Sequence, residues 1–251
     1  MIETRHISKG FNSHKVINDI NVIFERGMTN LIIGPSGSGK TVLMKCIVGL
    51  LEVDEGDILF DDRLFNKMSF NDKKIIRQEM GMMFQGGALF DSLTVEENVM
   101  FPLTMFTKQS LEEKRCRVNF CLKRVNLDNV NKLYPAELSG GMKKRVAIAR
   151  AISMNPRYLF CDEPNSGLDP KTSIVIDNLI SEITKEYQMT TIINTHDMNS
   201  VIEIGDNIAF IYSGKLWWKG DKHEILHTDN AELNNFVYAT ELTRRLKKGK
   251  D

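Results

Sequence analysis

No apolar run in the sequence approaches the roughly 18–20 residues that a membrane-crossing helix needs. The longest candidates, Ile208–Tyr212 and Met100–Phe106, are strand- or turn-sized. The opening Met1-Ile-Glu-Thr-Arg-His lacks the hydrophobic region of a secretory leader, so a cytosolic protein is expected. Neither sign of charge is in excess. Lys plus Arg and Asp plus Glu number 33 each, which leaves no global basic field to attract nucleic acid, although the tail is locally basic. The four cysteines, Cys46, Cys116, Cys121 and Cys161, form no C-x-x-C pair and have no histidine partners at zinc spacing. Reduced structural thiols are expected, with Cys46 and Cys161 inside apolar segments. Internal repeats and low-complexity segments are also lacking.

The 251 residues are 42% hydrophobic and 26% charged, the balance of an ordinary globular chain with one large domain or one domain carrying an insertion. Ile2 to Phe24 has short alternating runs that predict antiparallel strand. Leu31-Ile-Ile is a continuous apolar run, the pattern of a buried parallel strand. It leads through a glycine-rich turn into a helix predicted over Val42–Leu51, apolar almost all round. From about Asn71 to Glu137 the pattern turns mostly helical, with Val118, Cys121, Leu122 and Val125 on one face. An α/β rhythm then resumes: helix near Gly141–Ile152, strand Tyr158–Asp162, helix Thr172–Glu186, strand Thr190–Asn194, helix near Met198–Ile204 and strand Asn207–Tyr212. Strands alternating with helices indicate a mostly parallel sheet covered on both faces. The expected fold is therefore α/β, with an N-terminal antiparallel β subdomain and a helical insertion at about 86–137; the loop Gly34–Thr41, G-x-x-x-x-G-K-[ST] between a strand and a helix, makes the expected core that of a P-loop nucleotide hydrolase. The chain reads as a single domain over 1–251, closing with a helix and basic tail at about 230–251.

Gly34-Pro35-Ser36-Gly37-Ser38-Gly39-Lys40-Thr41 matches G-x-x-x-x-G-K-[ST], between a strand and a helix as that motif requires. Glycines let the backbone wrap phosphate oxygens with its N–H groups turned inward, and the helix start adds partial positive charge. Lys40 would meet the β- and γ-phosphates, and the Thr41 hydroxyl would bind Mg²⁺. Tyr158-Leu-Phe-Cys-Asp162-Glu163 is an apolar strand ending in two carboxylates, beyond which ligands sit in open α/β sheets. Asp162 is the candidate for Mg²⁺, and Glu163 for the group that polarises the attacking water. Ser139, Gly140 and Gly141 open a later helix as a second anion-binding N-terminus. One nucleotide does not need two cradles from one chain, whereas two chains packed head to tail would each close the other's site.

The stretch Leu138-Ser-Gly-Gly-Met-Lys-Lys-Arg-Val-Ala-Ile-Ala-Arg-Ala resembles the signature motif of ATP-binding-cassette proteins, and the resemblance extends over most of the chain. It implies ATP and Mg²⁺ as cofactors, a second copy of the chain and integral-membrane permease subunits as partners, and a peripheral place on the cytoplasmic face of the inner membrane. It implies that Phe11 stacks on adenine, that Gln85 links Mg²⁺ and water to the permease, and that Ser166–Asp169 crosses the dimer interface. By the same resemblance His196 contacts the γ-phosphate. Plainer readings exist for single residues: Phe11 as core, Gln85 as surface, His196 as a helix cap. Three positions depart from the family pattern: Met142 for glutamine, Val42 for a hydroxyl residue beside the phosphates, and Asn165 for threonine.

The run Phe84-Gln-Gly-Gly-Ala-Leu-Phe-Asp-Ser-Leu-Thr-Val-Glu-Glu-Asn-Val, with Met142, resembles ATPase subunits of Mla-type phospholipid transporters that work with MCE-domain lipid-binding proteins. That implies a phospholipid cargo; the alternative is a cassette for another cargo, such as lipoprotein, amino acid or drug. A soluble cassette acting on DNA or the ribosome is disfavoured, since there is no heptad-rich insertion and only one cassette. Ala88, Leu89 and Phe90 are candidates for a groove receiving a permease helix, or else ordinary core. Ala231–Leu246 is predicted as an amphipathic helix with Leu233, Phe236, Val237, Leu242 and Leu246 on one face, followed by Lys247, Lys248 and Lys250. Its cations complement the helix dipole, and its apolar face suggests a dimer contact, or with the cations an anionic lipid surface.

Overall fold

The computed structural model describes residues 1–12 and 14–238. Its strands fall into two sheets. β1 (Ile2–Phe11), β2 (His14–Phe24), β4 (Glu55–Phe60) and β5 (Arg63–Leu64) form an antiparallel sheet in the order β2-β1-β4-β5. The alternation read from the sequence sets its register: Ile2 faces Phe24 and Ile7 faces Ile20, and all four are buried.

The larger sheet holds β3 (Thr29–Ile33), β6 (Met80–Met83), β7 (Tyr158–Asp162), β8 (Thr190–Asn194), β9 (Asn207–Tyr212) and β10 (Lys215–Gly220). The order is β10-β9-β3-β8-β7-β6, and every pairing is parallel except β10 with β9. β3 and β8 lie in the middle and every residue of both is buried, which explains the apolar stretches Leu31–Ile33 and Ile192–Ile193 within them. The expected mostly parallel α/β core with an antiparallel β unit is what the chain forms.

Helices cover both faces. α1 (Lys40–Ile47) follows β3, and α5 (Gly140–Ile152), α6 (Pro170–Tyr187) and α7 (Met198–Ile204) follow in the second half. Between them lie α2 (Phe70–Gln78), α3 (Val95–Phe106) and α4 (Leu111–Arg124). α3 and α4 each start at a reciprocal cap, Thr94 with Glu97 and Ser110 with Glu113. Val99, Leu103, Val118 and Leu122 on these helices join Val146 and Ile148 of α5 in one core. The other core lies between the antiparallel sheet and α1.

Several sequence expectations are corrected. The stretch from Asn71 hides a strand: β6 pairs with β7 at the sheet edge. Methionine carries little strand preference, and only the tertiary partner makes this segment extended. β4, β5 and β10 were likewise not anticipated. α1 stops at Ile47, four residues short of Leu51, because Gly49 takes φ 73 and reverses the chain. Leu50 is accordingly exposed. At the C-terminal end, α8 (Ala231–Val237) buries Leu233 and Val237 in the chain's own core, and the Phe236 ring lies 5.5 Å from that of Phe210. Leu233 and Val237 of its apolar face are thus covered within the chain, while Phe236 is half-buried. Leu242, Leu246 and the basic residues of the tail lie outside the described residues.

One buried acid stands out on α6. Asp177 is 2% exposed, and its Oδ1 has no hydrogen-bond partner. Burial pushes its pKa up to about 6; hydrogen bonds from Ser200 and Asn165 oppose the rise, and the charges of Asp197 and Glu203 add to it. A raised folded-state pKa means that the neutral form stabilises the fold fully below the unfolded value of 3.8, and that this contribution is lost as pH rises through about 6. Asp177→Asn removes the titration. Chemical denaturation from pH 4 to pH 7.5 should show the variant gaining on the wild type by roughly 2 kcal/mol as pH rises. A gap independent of pH would contradict this account.

Candidate active site

The turn after β3 is shaped by close approach. A Cβ on Gly34 would lie 2.1 Å from the Ile211 carbonyl oxygen, and one on Gly39 would lie 2.7 Å from Ile17 Cγ2. Gly37 has open space around it but takes φ 78, a left-handed conformation that favours glycine. Gly39 then caps α1 without a side-chain hydrogen bond, and no acidic residue lies in the first turn. The N–H groups at the start of α1 therefore have no side-chain acceptor and face the loop as an anion site. Ser38 Oγ is buried with no partner. Lys40 arches over the loop, its Nζ donating to the Gly34 and Pro35 carbonyls at 2.8 and 3.0 Å. Burial lowers its pKa, and the nearby charges of Glu163 and Asp162 oppose the fall. Pro35, Ser36 and Thr41 border the loop, with Ser36 and Thr41 exposed; Val42 packs on the core beside α1.

The carboxyl ends of β7 and β8 bring the predicted acids to the same place. Asp162 Oδ1 accepts from Asn194 Nδ2 at 3.1 Å. Glu163 takes φ 48, and its amide donates to the Asn194 carbonyl. Its carboxylate meets His196 Nδ1 at 2.9 Å through Oε1, and Gln85 Nε2 at 3.5 Å through Oε2. Gln85, Glu163 and His196 thus form one cluster from three separate segments. His196 caps no helix; Asp197 is the N-cap of α7. A cleft of about 690 Å³ is lined by Pro35, Ser36, Glu163, Ser166 and His196.

Not every predicted residue joins this cleft. Phe11 lies at the turn between β1 and β2, 45% exposed, so it is not core, and it does not line the cleft. Ser139, Gly140 and Gly141 line a separate pocket of about 350 Å³ with Arg145, Leu168 and Thr172. Ser139 caps α5 by accepting from the Met142 amide at 3.3 Å. A Cβ on Gly141 would meet Thr172 Cγ2 at 2.8 Å, so this helix start is also built for close approach. Within one chain Pro35 and Ser36 of the first loop and Ser139–Gly141 line different pockets, which meet at Gly167. Asn165 donates to Ser200 Oγ at 3.0 Å, tying the loop after Glu163 to α7.

Three residues that support the cluster escaped sequence reasoning. Asn194 is a buried amide at a strand end. Gly86, Gly87 and Ala88 follow Gln85 in left-handed conformation, at φ 76, 82 and 44. The buried Arg150 holds them, donating to the Gly87 and Ala88 carbonyls at 2.7 and 2.8 Å. Asn98, fully buried, accepts from the Phe90 amide and donates to the Phe90 and Leu93 carbonyls. A polar residue on the apolar face of a predicted helix was the available signal for Asn98 and Arg150. Beside this loop, Phe84, Ala88, Phe90, Phe101 and Phe106 line an apolar groove of about 470 Å³. Leu89 points away from it and packs on the core.

Comparison with known proteins agrees with this geometry. The family model described as ABC transporter matches residues 17–166. A methionine import ATP-binding protein of Clostridium tetani is 38% identical over 96% of this chain and 76% of its own. A probable ribonucleotide transport ATP-binding protein of Mycobacterium leprae is 35% identical over 94% of this chain and 68% of its own. Among solved structures, the dimeric ATP-binding cassette MJ0796 in a post-hydrolysis state with ADP and phosphate has a TM-score of 0.80. It is 31% identical, and the match covers 88% of this chain and 99% of that one. With a glycine-built loop before α1, a carboxylate–histidine–glutamine cluster and a second glycine-built helix start, the chain belongs to the ABC transporter family as one of its ATP-hydrolysing, ATP-binding subunits.

Proposed function

We propose that two copies of this chain close around two ATP molecules and that hydrolysis drives an integral-membrane permease. The observation that carries this reading is the separation of the two anion sites into different pockets of one chain. A partner copy would bring its Ser139–Gly141 helix start to the nucleotide held by Gly34–Thr41. Lys40 would turn from the loop carbonyls to the β- and γ-phosphates, and Phe11, exposed at its turn, would stack on the base. Glu163 would draw the proton of the attacking water, with His196 and Gln85 fixing its orientation. Mg²⁺ would be held by Thr41 and Asp162 with Gln85 close by, and would supply charge neutralisation at the phosphates. Such an ion takes few protein ligands, so a hydroxyl and one carboxylate suit it.

The apolar groove beside Gln85 is proposed to seat a cytoplasmic helix of the permease on the helical region at about 86–137. No helix among the described residues is long and apolar enough to cross a membrane, so attachment to the membrane would run through that partner. The expected phospholipid cargo and MCE-domain partner gain no support from the relatives, which are named for methionine import and ribonucleotide transport. The reading with another cargo fits them better, and we place the cargo among small solutes such as amino acids.

Glu163→Gln should keep ATP binding, cut turnover about a hundredfold or more, and yield a stable ATP-dependent dimer in light scattering. Normal turnover by this variant would refute the assignment of the base, and a monomer with bound ATP would refute the two-copy site. Lys40→Ala should lower hydrolysis at least about a hundredfold while the melting temperature stays nearly unchanged, because phosphate contacts rather than core are removed. An unfolded variant by circular dichroism would count against this. Purification of the tagged complex from its native membrane tests the cargo: an amino-acid-binding partner supports the reading, and a lipid-binding partner overturns it.

A further inference from the structure

α5 begins at the Ser139–Gly141 cradle and carries a buried cation one turn later. Lys144 is 5% exposed, and its Nζ donates to Ser166 Oγ at 3.1 Å. Among the described residues no carboxylate lies within ion-pair distance of it, and the acid whose charge it feels most is Glu163. An ammonium so placed carries a desolvation cost that burial of an apolar side chain would avoid, so packing does not explain a lysine here.

Its surroundings do. Ser166 lines the cleft of Glu163 and His196, and its amide donates to the Glu163 carbonyl at 3.2 Å, closing the turn on which Glu163 stands. The next residue, Gly167, lines both that cleft and the cradle pocket. A continuous set of contacts therefore runs from the cradle along α5 to Lys144, across to Ser166, and on to the backbone of Glu163. Lys144 is the one charged link in it.

We propose that Lys144 is a positioning residue that makes hydrolysis at Glu163 depend on what occupies the cradle at the start of its own helix. In a closed pair that occupant is the partner's nucleotide, so Lys144 couples the two sites. The inference rests on the two-copy reading above. α5 reports occupancy of its N-terminus as a small shift along its axis, and the ammonium transmits that shift to Ser166 and the Glu163 turn. A neutral side chain of equal length would pack but would not transmit it.

The test is ATP turnover against ATP concentration for the full chain and three variants. Lys144→Met should lower kcat about tenfold with KM for ATP within about twofold, and the Hill coefficient should fall from well above 1 to about 1. Lys144→Arg, which keeps the cation and a donor, should restore both. Ser166→Ala, which removes the acceptor, should reproduce the loss of cooperativity, and it carries the test if Lys144→Met fails to fold. Wild-type kcat and Hill coefficient in Lys144→Met or Ser166→Ala would overturn the proposal, as would failure of Lys144→Arg to rescue. Glu163→Gln, assayed for dimer formation beside Lys144→Met, separates the two claims. An ATP-dependent dimer beside unchanged cooperativity in Lys144→Met sinks the role of Lys144 alone. Absence of that dimer in Glu163→Gln itself sinks the two-copy reading.

Discussion

An anion that is to be held by backbone N–H groups must be approached without side chains in the way. That constraint governs this molecule at two places. At Gly34 the adjacent Ile211 carbonyl leaves no room for a Cβ, and at Gly141 the Thr172 methyl leaves little. Each loop can lie this close only because the strand or helix beside it is rigid. β3 supplies the rigidity at the first, since it is buried on both faces and hydrogen-bonded to β8 and β9. At the second, the helical start of α6 presents Thr172, which Asp169 holds as the N-cap. The cores of the protein exist on both sides of these approaches.

The acidic cluster depends on the same scaffold in a different way. Asp162 and Glu163 stand at one strand end, Asn194 and His196 just past the next, and Gln85 just past a third. Parallel pairing of β6, β7 and β8 aligns their carboxyl ends, so residues 78 and 33 positions from Glu163 become its neighbours. The left-handed backbone of Glu163 sets its carboxylate between them. A single residue of slip in β6 would move Gln85 away from this meeting point.

Much of this was legible in the residues themselves. Apolar runs marked β3, β7 and β9, because strands buried on both faces need no polar alternation, and the α/β rhythm marked β8. The glycine loop and the acidic strand end were readable because each couples a rare composition to a required neighbour. What stayed hidden depends on partners far along the chain. β6 has the composition of no particular element and is a strand only because β7 lies beside it. Lys144 reads as an ordinary helical residue, and at Arg150 and Asn98 a polar residue on an apolar face signals burial without naming the carbonyls that wait for them. The cover on α8 is equally non-local: Leu233 and Val237 join the buried core that holds Phe210, whose ring meets that of Phe236. An apolar helix face in a sequence therefore indicates burial without naming the surface that provides it.

The hydrogen bonds by which Arg150 holds the loop after Gln85 go to carbonyl oxygens, and Asn98 likewise bonds backbone groups in that loop, while the Arg150 guanidinium also lies over the Phe90 ring, 5.9 Å from its centre. Those hydrogen bonds are blind to the side chains that the loop displays. Exposed positions such as Asp91 and Ser92 are thus free to vary while Gln85 keeps its place, whereas Ala88, at φ 44, and Phe90, under the Arg150 guanidinium, are constrained. The segment can change its outward surface at the free positions without moving Gln85. That decoupling makes this stretch a place where otherwise similar ATPases can acquire individuality, and where swapping a few side chains would retarget the outward surface without rebuilding the hydrolytic one.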